Sequence, residues 1–87
     1  MPHLFVRHTV ENFDVWKPAF DADETHRSSH GISVLGVHRG VDNTNELTVV
    51  LEVEGVSRAQ EYLQSPELRE GMEQAGVQGM PEMWFTD

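Results

Sequence analysis

The fold is decided by residues 32–53, which read ISVLGVHRGVDNTNELTVVLEV. Apolar side chains alternate with other side chains on both sides of residues 42–45, as they do in β-strands. Asp and Asn tolerate positive φ and hydrogen-bond their own backbone, so the intervening DNTN predicts a turn. The stretch therefore predicts a β-hairpin in the middle of the chain.

The residues before the hairpin predict one strand and one helix. Residues 3–9 alternate in the manner of a strand. Large apolar residues then recur at helical spacing, at Phe13, Trp16 and Phe20. These two elements predict that the chain enters the hairpin from a helix that packs against the sheet.

The ends of this first helix are predicted from its capping residues. Asn12 and Asp14 can both accept from the free amides of a first turn. A cap at Asp14 keeps Pro18 close to the first turn, where its missing N–H matters least, so Asp14 is the predicted cap. The helical stripe continues through Arg27, and Gly31 predicts its end.

The residues after the hairpin predict a second helical segment and a last strand. Ser57 is predicted to open the segment, and residues 65–67 (SPE) to restart it with a capping serine and a proline. A short loop with Gly and Pro at 79–81 then leads to a strand at 83–85 (MWF). The order β-α-β-β-α-β over residues 1–87 predicts a single α+β domain. Its fold is a ferredoxin-like sandwich, a four-stranded antiparallel sheet with helices on one face.

Composition excludes several classes of function. Fifteen acidic and six basic side chains give a formal charge of −9, which repels phosphate backbones and anionic lipid. We therefore expect no nucleic-acid partner and no membrane partner. The absence of cysteine excludes disulfides, thiolate nucleophiles and cysteine-ligated metals. No apolar stretch approaches the ~20 residues of a spanning helix, and residues 1–8 contain no export signal, so a cytoplasmic location is expected.

Apolar residues are predicted on both faces of the sheet. The helices cover only one face, yet each strand carries apolar side chains on the other as well: Phe5, Leu35, Val37, Val50 and Trp84. Burying four such side chains contributes roughly 1.5–3 kcal/mol each, comparable with the stability of a small domain. The pattern favours a homodimer formed sheet to sheet over a monomer with a patchy surface.

Three segments resemble a known family. The aromatic-rich helix at 13–20 (FDVWKPAF), the Asp/Asn-rich hairpin, and residues 65–72 (SPELREGM) followed by a terminal strand are similar to the dimeric α+β-barrel superfamily. Within it, the chain most resembles small antibiotic-biosynthesis-monooxygenase-like proteins. The resemblance implies a cavity between sheet and helices in each subunit of a dimer. It also implies cofactor-free oxygenation or polyketide-cyclase chemistry on a small aromatic or polyketide-like molecule.

Other activities of that superfamily find less support in the residues. Haem-degrading members use a histidine and a tryptophan on the second-helix side, and residues 56–76 contain neither. No dinucleotide, P-loop or esterase motif is present. We therefore expect no cofactor. A non-catalytic ligand-binding or stress-response module stays open as the alternative to an enzyme.

Three histidines are candidates for a general base. His38 is the first choice, because it continues the face of Ile32, Val34 and Gly36 and would lie beside the cavity if the helices cover that face. His8 continues the corresponding face of the first strand in the same way. A histidine at the margin of a strand, bonded to backbone or water, is the structural alternative for both.

His26 is the third candidate for the general base. Arg27 is predicted to stabilise the negative charge that develops on the ligand. His26 and His30 are four residues apart, with Asp23 one turn before, which is also the spacing of a two-histidine, one-carboxylate metal site. The sequence contains no HExxH motif. His26 and His30 also suit the solvent-exposed C-terminal end of a helix, where a positive charge is favourable, so no metal is expected.

The ligand is predicted to contact Trp16, Phe20, Tyr62 and Met72. An apolar cavity with a few polar groups at one end is typical of a small-molecule site. Packing in the core is the alternative role for these side chains. A cavity packed solid would favour the non-catalytic module, whereas an open cavity with two or more converging polar groups would favour the enzyme.

Overall fold

The computed structural model describes residues 1–87 and contains four strands and four helices. The strands are β1 (His3–Val10), β2 (Ile32–Arg39), β3 (Glu46–Val53) and β4 (Val77–Thr86). The helices are α1 (Phe13–Ala22), α2 (Glu24–Ser29), α3 (Val56–Leu63) and α4 (Pro66–Gln74). The strands form one antiparallel sheet in the order β2-β3-β1-β4. The predicted α+β, ferredoxin-like fold is confirmed.

The core lies between the sheet and the helices. Alternate residues of the two central strands, β1 and β3, are buried. Because strand side chains alternate between faces, this period of two marks the face that the helices cover. Twelve buried apolar residues form one cluster there: Leu4, Val6, Val10, Trp16, Ile32, Leu47, Val49, Leu51, Val53, Ala59, Tyr62 and Ala75.

The start of α1 differs from its prediction. Asn12 is the N-cap, and its side chain accepts from the Asp14 amide at 2.9 Å. The predicted cap at Asp14 is therefore wrong, and Pro18 lies inside the helix, where it withholds one backbone hydrogen bond. The helix is also interrupted at Asp23, so the predicted single helix is two helices, α1 and α2. Gly31 follows with φ of 70°, the left-handed conformation expected at such an end.

The second helical segment follows its predicted restart but not its predicted start. α3 begins at Val56 after Gly55, with no side-chain cap, so the predicted opening at Ser57 is wrong. α4 begins as predicted. The Ser65 hydroxyl accepts from the Leu68 amide at 3.3 Å, and Pro66 occupies the first turn, where a missing N–H costs least.

β2 contains a β-bulge at Leu35. Val34 lies opposite Leu51 of β3, whereas Gly36 lies opposite Val50, so Leu35 is an extra residue without a partner. Directly opposed residues of an antiparallel pair share a face of the sheet. The extra residue therefore reverses the faces that simple alternation predicts for the rest of the strand.

The reversal is visible beyond the bulge. Val37 packs against the core, and the Arg39 guanidinium lies 4.1 Å from the centre of the Phe13 ring in α1. His38, which pairs with Thr48, lies on the opposite, helix-free face and is exposed. The predicted outward direction of Val37 and the predicted inward direction of His38 are both wrong.

β4 is longer than predicted and also irregular. Arg7 of β1 pairs with Glu82, whereas Thr9 pairs with Gln78, so residues 79–81 form a bulge inside the strand rather than a loop before it. The bulge lies opposite His8, the one residue between those two pairs. Bulges are common beside functional sites because they redirect the chain locally.

The helix-free face of the sheet has an apolar centre. Phe5 of β1 and Trp84 of β4 are paired, and their rings stack with centroids 5.5 Å apart. Val50 of β3 is the partner of Phe5 on the other side. Trp84 remains 43% exposed, so this face carries apolar surface that the chain itself does not cover. No helix in the structure is long and apolar enough to cross a membrane.

Candidate ligand cavity

A cavity of about 480 Å³ lies between the sheet and the helices. Most of its lining is apolar, and Val15 at its edge is 55% exposed, so the cavity opens to the surface. Cavities of this size and composition are typical of small-molecule sites. Six of the residues selected from the sequence line it: His8, Trp16, Phe20, Arg27, Tyr62 and Met72.

One wall of the cavity is aromatic. Trp16 and Phe20, one helical turn apart on α1, stack with ring centroids 4.7 Å apart. Residues at i and i+4 share a helix face, so the predicted stripe becomes a continuous surface. Trp16 is 3% exposed and belongs to the core, while Phe20 packs on that core and is half-buried. The wall therefore serves both packing and the cavity.

His8 is buried beside this wall. Its ring lies 5.5 Å from the Trp16 ring in an edge-on arrangement, and the side chain is 7% exposed. Burial lowers the pKa of His8 below its ordinary 6.5, and a hydrogen bond with the backbone of Leu47 opposes part of this shift. The imidazole is consequently neutral at neutral pH. Its Nδ1 atom is buried without a hydrogen-bond partner.

Arg27 is a buried cation at the same cavity. Its side chain is 4% exposed, and the guanidinium lies 4.0 Å from the centre of the Phe20 ring. Its Nε atom has no hydrogen-bond partner. None of the four ion pairs in the structure includes Arg27. A buried charge is costly unless it is paired, so this group is ready to accept an anion.

Asp23 and Tyr62 form a polar contact in the cavity wall. The Tyr62 hydroxyl donates to Asp23 Oδ2 at 2.6 Å. Burial, followed by the bond to the Asp23 carboxylate, raises the pKa of Tyr62 far above its ordinary 10.0, so the phenol stays protonated. Asp23 also lines the cavity. Sequence reasoning did not pair Asp23 with Tyr62, because nothing in the pattern joins residues 39 positions apart.

His26 and His30 lie outside the cavity. His26 Nδ1 is 3.5 Å from Asp23 Oδ1, and the His26 side chain is one quarter exposed. His30 Nδ1 lies 3.1 Å from the His26 carbonyl oxygen, and the two rings meet edge-on with centroids 5.1 Å apart. No group of three or more His, Asp or Glu side chains in the structure is arranged to hold a metal ion.

His38 is the candidate that the structure separates most clearly from the cavity. It lies on the helix-free face for the reason given above, the bulge at Leu35. The structure therefore brings together His8 and Arg27 from the predicted catalytic set, and leaves His26 and His38 apart.

Comparisons with known proteins agree on the fold. No protein-family model matches the chain, and no curated protein matches it. Among solved structures, a proposed antibiotic biosynthesis monooxygenase from Bordetella bronchiseptica superposes with a TM-score of 0.80 at 14% identity, over 99% of this chain and 94% of that one. One from Caulobacter crescentus CB15 gives 0.75 at 10% identity, over 99% and 87%.

A third similar structure has a stated activity. SnoaB, a cofactor-independent oxygenase from Streptomyces nogalater, superposes with a TM-score of 0.73 at 13% identity, over 99% of this chain and 90% of that one. The chain therefore has the ferredoxin-like fold of antibiotic-biosynthesis-monooxygenase-like proteins. Identities this low establish the fold alone, because one fold hosts many chemistries.

Proposed function

We propose that this protein binds a small, planar aromatic or polyketide-like molecule in the cavity and removes a proton from it with His8. The reaction class is cofactor-independent oxygenation or a cyclase-type proton transfer. The observation that carries the proposal is the buried, neutral imidazole of His8 in the lining of an open apolar cavity. His8 takes the place of His38, the first choice from the sequence.

The proton transfer requires only groups at the cavity. A neutral imidazole has a free lone pair, so His8 accepts a proton from a phenol or an activated C–H of the ligand and becomes imidazolium. The electron pair of the broken bond stays on the ligand as an enolate or phenolate. The Arg27 guanidinium stabilises that charge, since an ionic contact is strong where water is excluded. In an oxygenation, the carbanion forms a C–O bond with O₂, and the peroxide takes the proton back from His8 and loses water to leave a carbonyl. In a cyclisation, the carbanion attacks a carbonyl of the same molecule, whose oxygen takes up that proton.

The openness of the cavity supports an enzyme over a non-catalytic module. Trp16, Phe20 and Met72 do not fill the space between sheet and helices, since about 480 Å³ remains. His8 and Arg27 both line that space, so two polar groups converge on it. The likeness to SnoaB, described as a cofactor-independent oxygenase, supports chemistry without a cofactor.

The proposal includes a homodimer formed through the helix-free face. The Phe5–Trp84 stack and Val50 supply an apolar centre on that face. Two copies packed face to face would remove this surface from water, as sheet-on-sheet packing does elsewhere. The cytoplasmic location expected from the sequence stays a prediction.

The test uses 1,8-dihydroxyanthrone as a probe, because it carries both phenols and an activated C–H. Oxygen uptake and quinone absorbance report turnover, and quenching of Trp16 fluorescence in a Trp84→Phe background reports binding. We expect turnover by the unaltered protein, a loss of about 100-fold or more in His8→Gln, and no change in the matched control His38→Gln. Binding without turnover would support the non-catalytic alternative. Equal turnover in His8→Gln would overturn the assignment of the base.

A further inference from the structure

We infer that the ligand of this cavity enters as an organic anion, whose carboxylate or acidic phenolate oxygen binds the guanidinium of Arg27. The inference rests on the proposed function only in assuming that a planar aromatic molecule occupies the cavity. The inference concerns how the ligand binds before any reaction, so it can be tested whether or not the protein is an enzyme.

The argument begins with the charge of Arg27. Arginine stays protonated in proteins, so it cannot escape burial by losing its charge, as a buried lysine or histidine does. Its side chain here is 4% exposed, which leaves little contact with water. Desolvating an ion costs several kcal/mol in general, and proteins offset that cost with a counter-charge and hydrogen bonds. The structure should therefore contain a partner for this cation.

The protein itself supplies no charged partner. The neutral Tyr62 hydroxyl lies close enough to the Arg27 guanidinium for the cation to oppose the rise in the Tyr62 pKa, but a phenol cannot neutralise a charge. No carboxylate oxygen lies within 4.0 Å of the Arg27 guanidinium. Asp23, the acidic residue one turn away, directs Oδ2 to the Tyr62 hydroxyl, and its Oδ1 lies 3.5 Å from His26. The aromatic face of Phe20 stabilises the cation but cannot satisfy its N–H donors, since a ring offers no strong acceptor. The buried Nε remains without a partner.

A counter-charge for the Arg27 guanidinium must come from the cavity. Arg27 lines the cavity together with the aromatic wall of Trp16 and Phe20. A guanidinium stacked on a ring donates its hydrogen bonds in its own plane, in a geometry that matches the two oxygens of a carboxylate. A ligand that offers a flat apolar body to the wall and an anionic oxygen to Arg27 satisfies both features.

The net negative charge of the protein ties any preference for an anionic ligand to Arg27. The formal charge of −9 repels free anions from the protein surface. Any preference for an anionic ligand must therefore arise from a local contact, and Arg27 is the only lysine or arginine that lines the cavity. If an anionic ligand binds more tightly than an uncharged one of the same shape, a general attraction of the protein for anions cannot be the reason.

The experiment compares two ligands of the same shape. Anthraquinone-2-carboxylate and the uncharged anthraquinone-2-carboxamide are titrated at pH 7.5, with Trp16 fluorescence as the readout in a Trp84→Phe background and calorimetry on the unaltered protein. We expect the carboxylate to bind about tenfold or more tightly than the amide. Arg27→Met should remove that preference, weakening the carboxylate about tenfold and changing the amide less than about twofold. Arg27→Lys should retain part of it, because the charge remains and the planar fork is lost.

The outcomes separate this inference from the proposed function. Equal affinity for the two compounds in the unaltered protein overturns the anionic ligand class and leaves an aromatic site in place. Binding of neither compound overturns both the aromatic site and the inference. If Arg27→Met fails to fold, the two ligands on the unaltered protein and the Arg27→Lys variant still decide the question.

Discussion

The Tyr62 hydroxyl donates a 2.6 Å hydrogen bond to Asp23 Oδ2, joining α3 to the junction of α1 and α2. The carbonyl of Asp23 in turn accepts from the Arg27 amide at 3.1 Å, in the first turn of α2. The Tyr62–Asp23 bond therefore fixes the start of α2, and with it the position of Arg27 at the cavity. A contact between residues 39 positions apart thus orients the polar end of the cavity.

Tyr62→Phe should destabilise the fold by about 1–2 kcal/mol, because a hydrogen bond to a charged group is lost while the ring packing stays. The measurement is the free energy of unfolding from urea titration. Lys17→Met is the matched control, since it breaks the exposed pair with Asp21 and should cost less than about 0.5 kcal/mol. Equal effects of the two changes would contradict a structural role for the Tyr62–Asp23 bond.

The pH dependence of stability should carry a component from His8. The folded chain holds the pKa of His8 below the 6.5 of the unfolded chain, so the unfolded state binds more protons as the pH falls below that value. The stability from this group is complete above pH 6.5 and is lost progressively at lower pH. Urea unfolding at pH 7.5, 6.5 and 5.5 measures it.

Variants isolate the His8 component from other titrating groups. His8→Asn should show a smaller loss of stability between pH 7.5 and 5.5 than the unaltered protein. The matched control His38→Asn changes an exposed histidine on the other face of the sheet and should leave the loss unchanged. A His8→Asn profile parallel to that of the unaltered protein would show that burial does not perturb this imidazole.

Deleting Leu35 should cost less than about 1.5 kcal/mol, because the bulge makes this residue an extra one and its side chain is 55% exposed. The remaining β2 residues would then alternate regularly and keep their present faces. Deleting Val37 is the control, and it should cost at least about 1 kcal/mol more because that side chain packs on the core. If β2 had no bulge, deleting Leu35 would turn residues 36–39 over and unfold the sheet edge.

Sedimentation at about 10 µM should show a particle of twice 9.9 kDa if two sheets pack through the face centred on Phe5 and Trp84. Trp84→Lys should convert it to a monomer, because a charge would be buried in the interface. Val41→Lys is the control, since Val41 is 97% exposed in the hairpin turn and should not affect association. A monomeric unaltered protein would contradict the proposed dimer.

Several parts of the secondary structure were predicted correctly because neighbouring residues determine them. The hairpin turn, the cap at Ser65 and the helix end at Gly31 all depend on residues within a few positions of one another. The aromatic stripe of α1 was predicted for the same reason, because helical spacing alone places Trp16 and Phe20 together.

The errors arose where regular alternation, or one of two competing local preferences, was taken as decisive. An isolated glycine in a strand, such as Gly36, can mark a bulge, but alternation alone does not show where the extra residue lies. One extra residue places His38 on the face opposite to the predicted one. The cap of α1 was misassigned because avoiding the cost of Pro18 was given more weight than the hydrogen bond of Asn12.

By itself, the sequence determined the order of elements, the buried faces of β1 and β3, and an aromatic wall on α1, because residue periodicity carries all three. Only the tertiary structure decided which polar groups meet at the cavity. His8, Arg27 and the Tyr62–Asp23 pair come from separate elements, and their meeting at one cavity follows from strand register and helix docking. The burial of His8 and Arg27 is likewise a property of the whole folded domain, because desolvation of a side chain depends on every neighbour that excludes water from it.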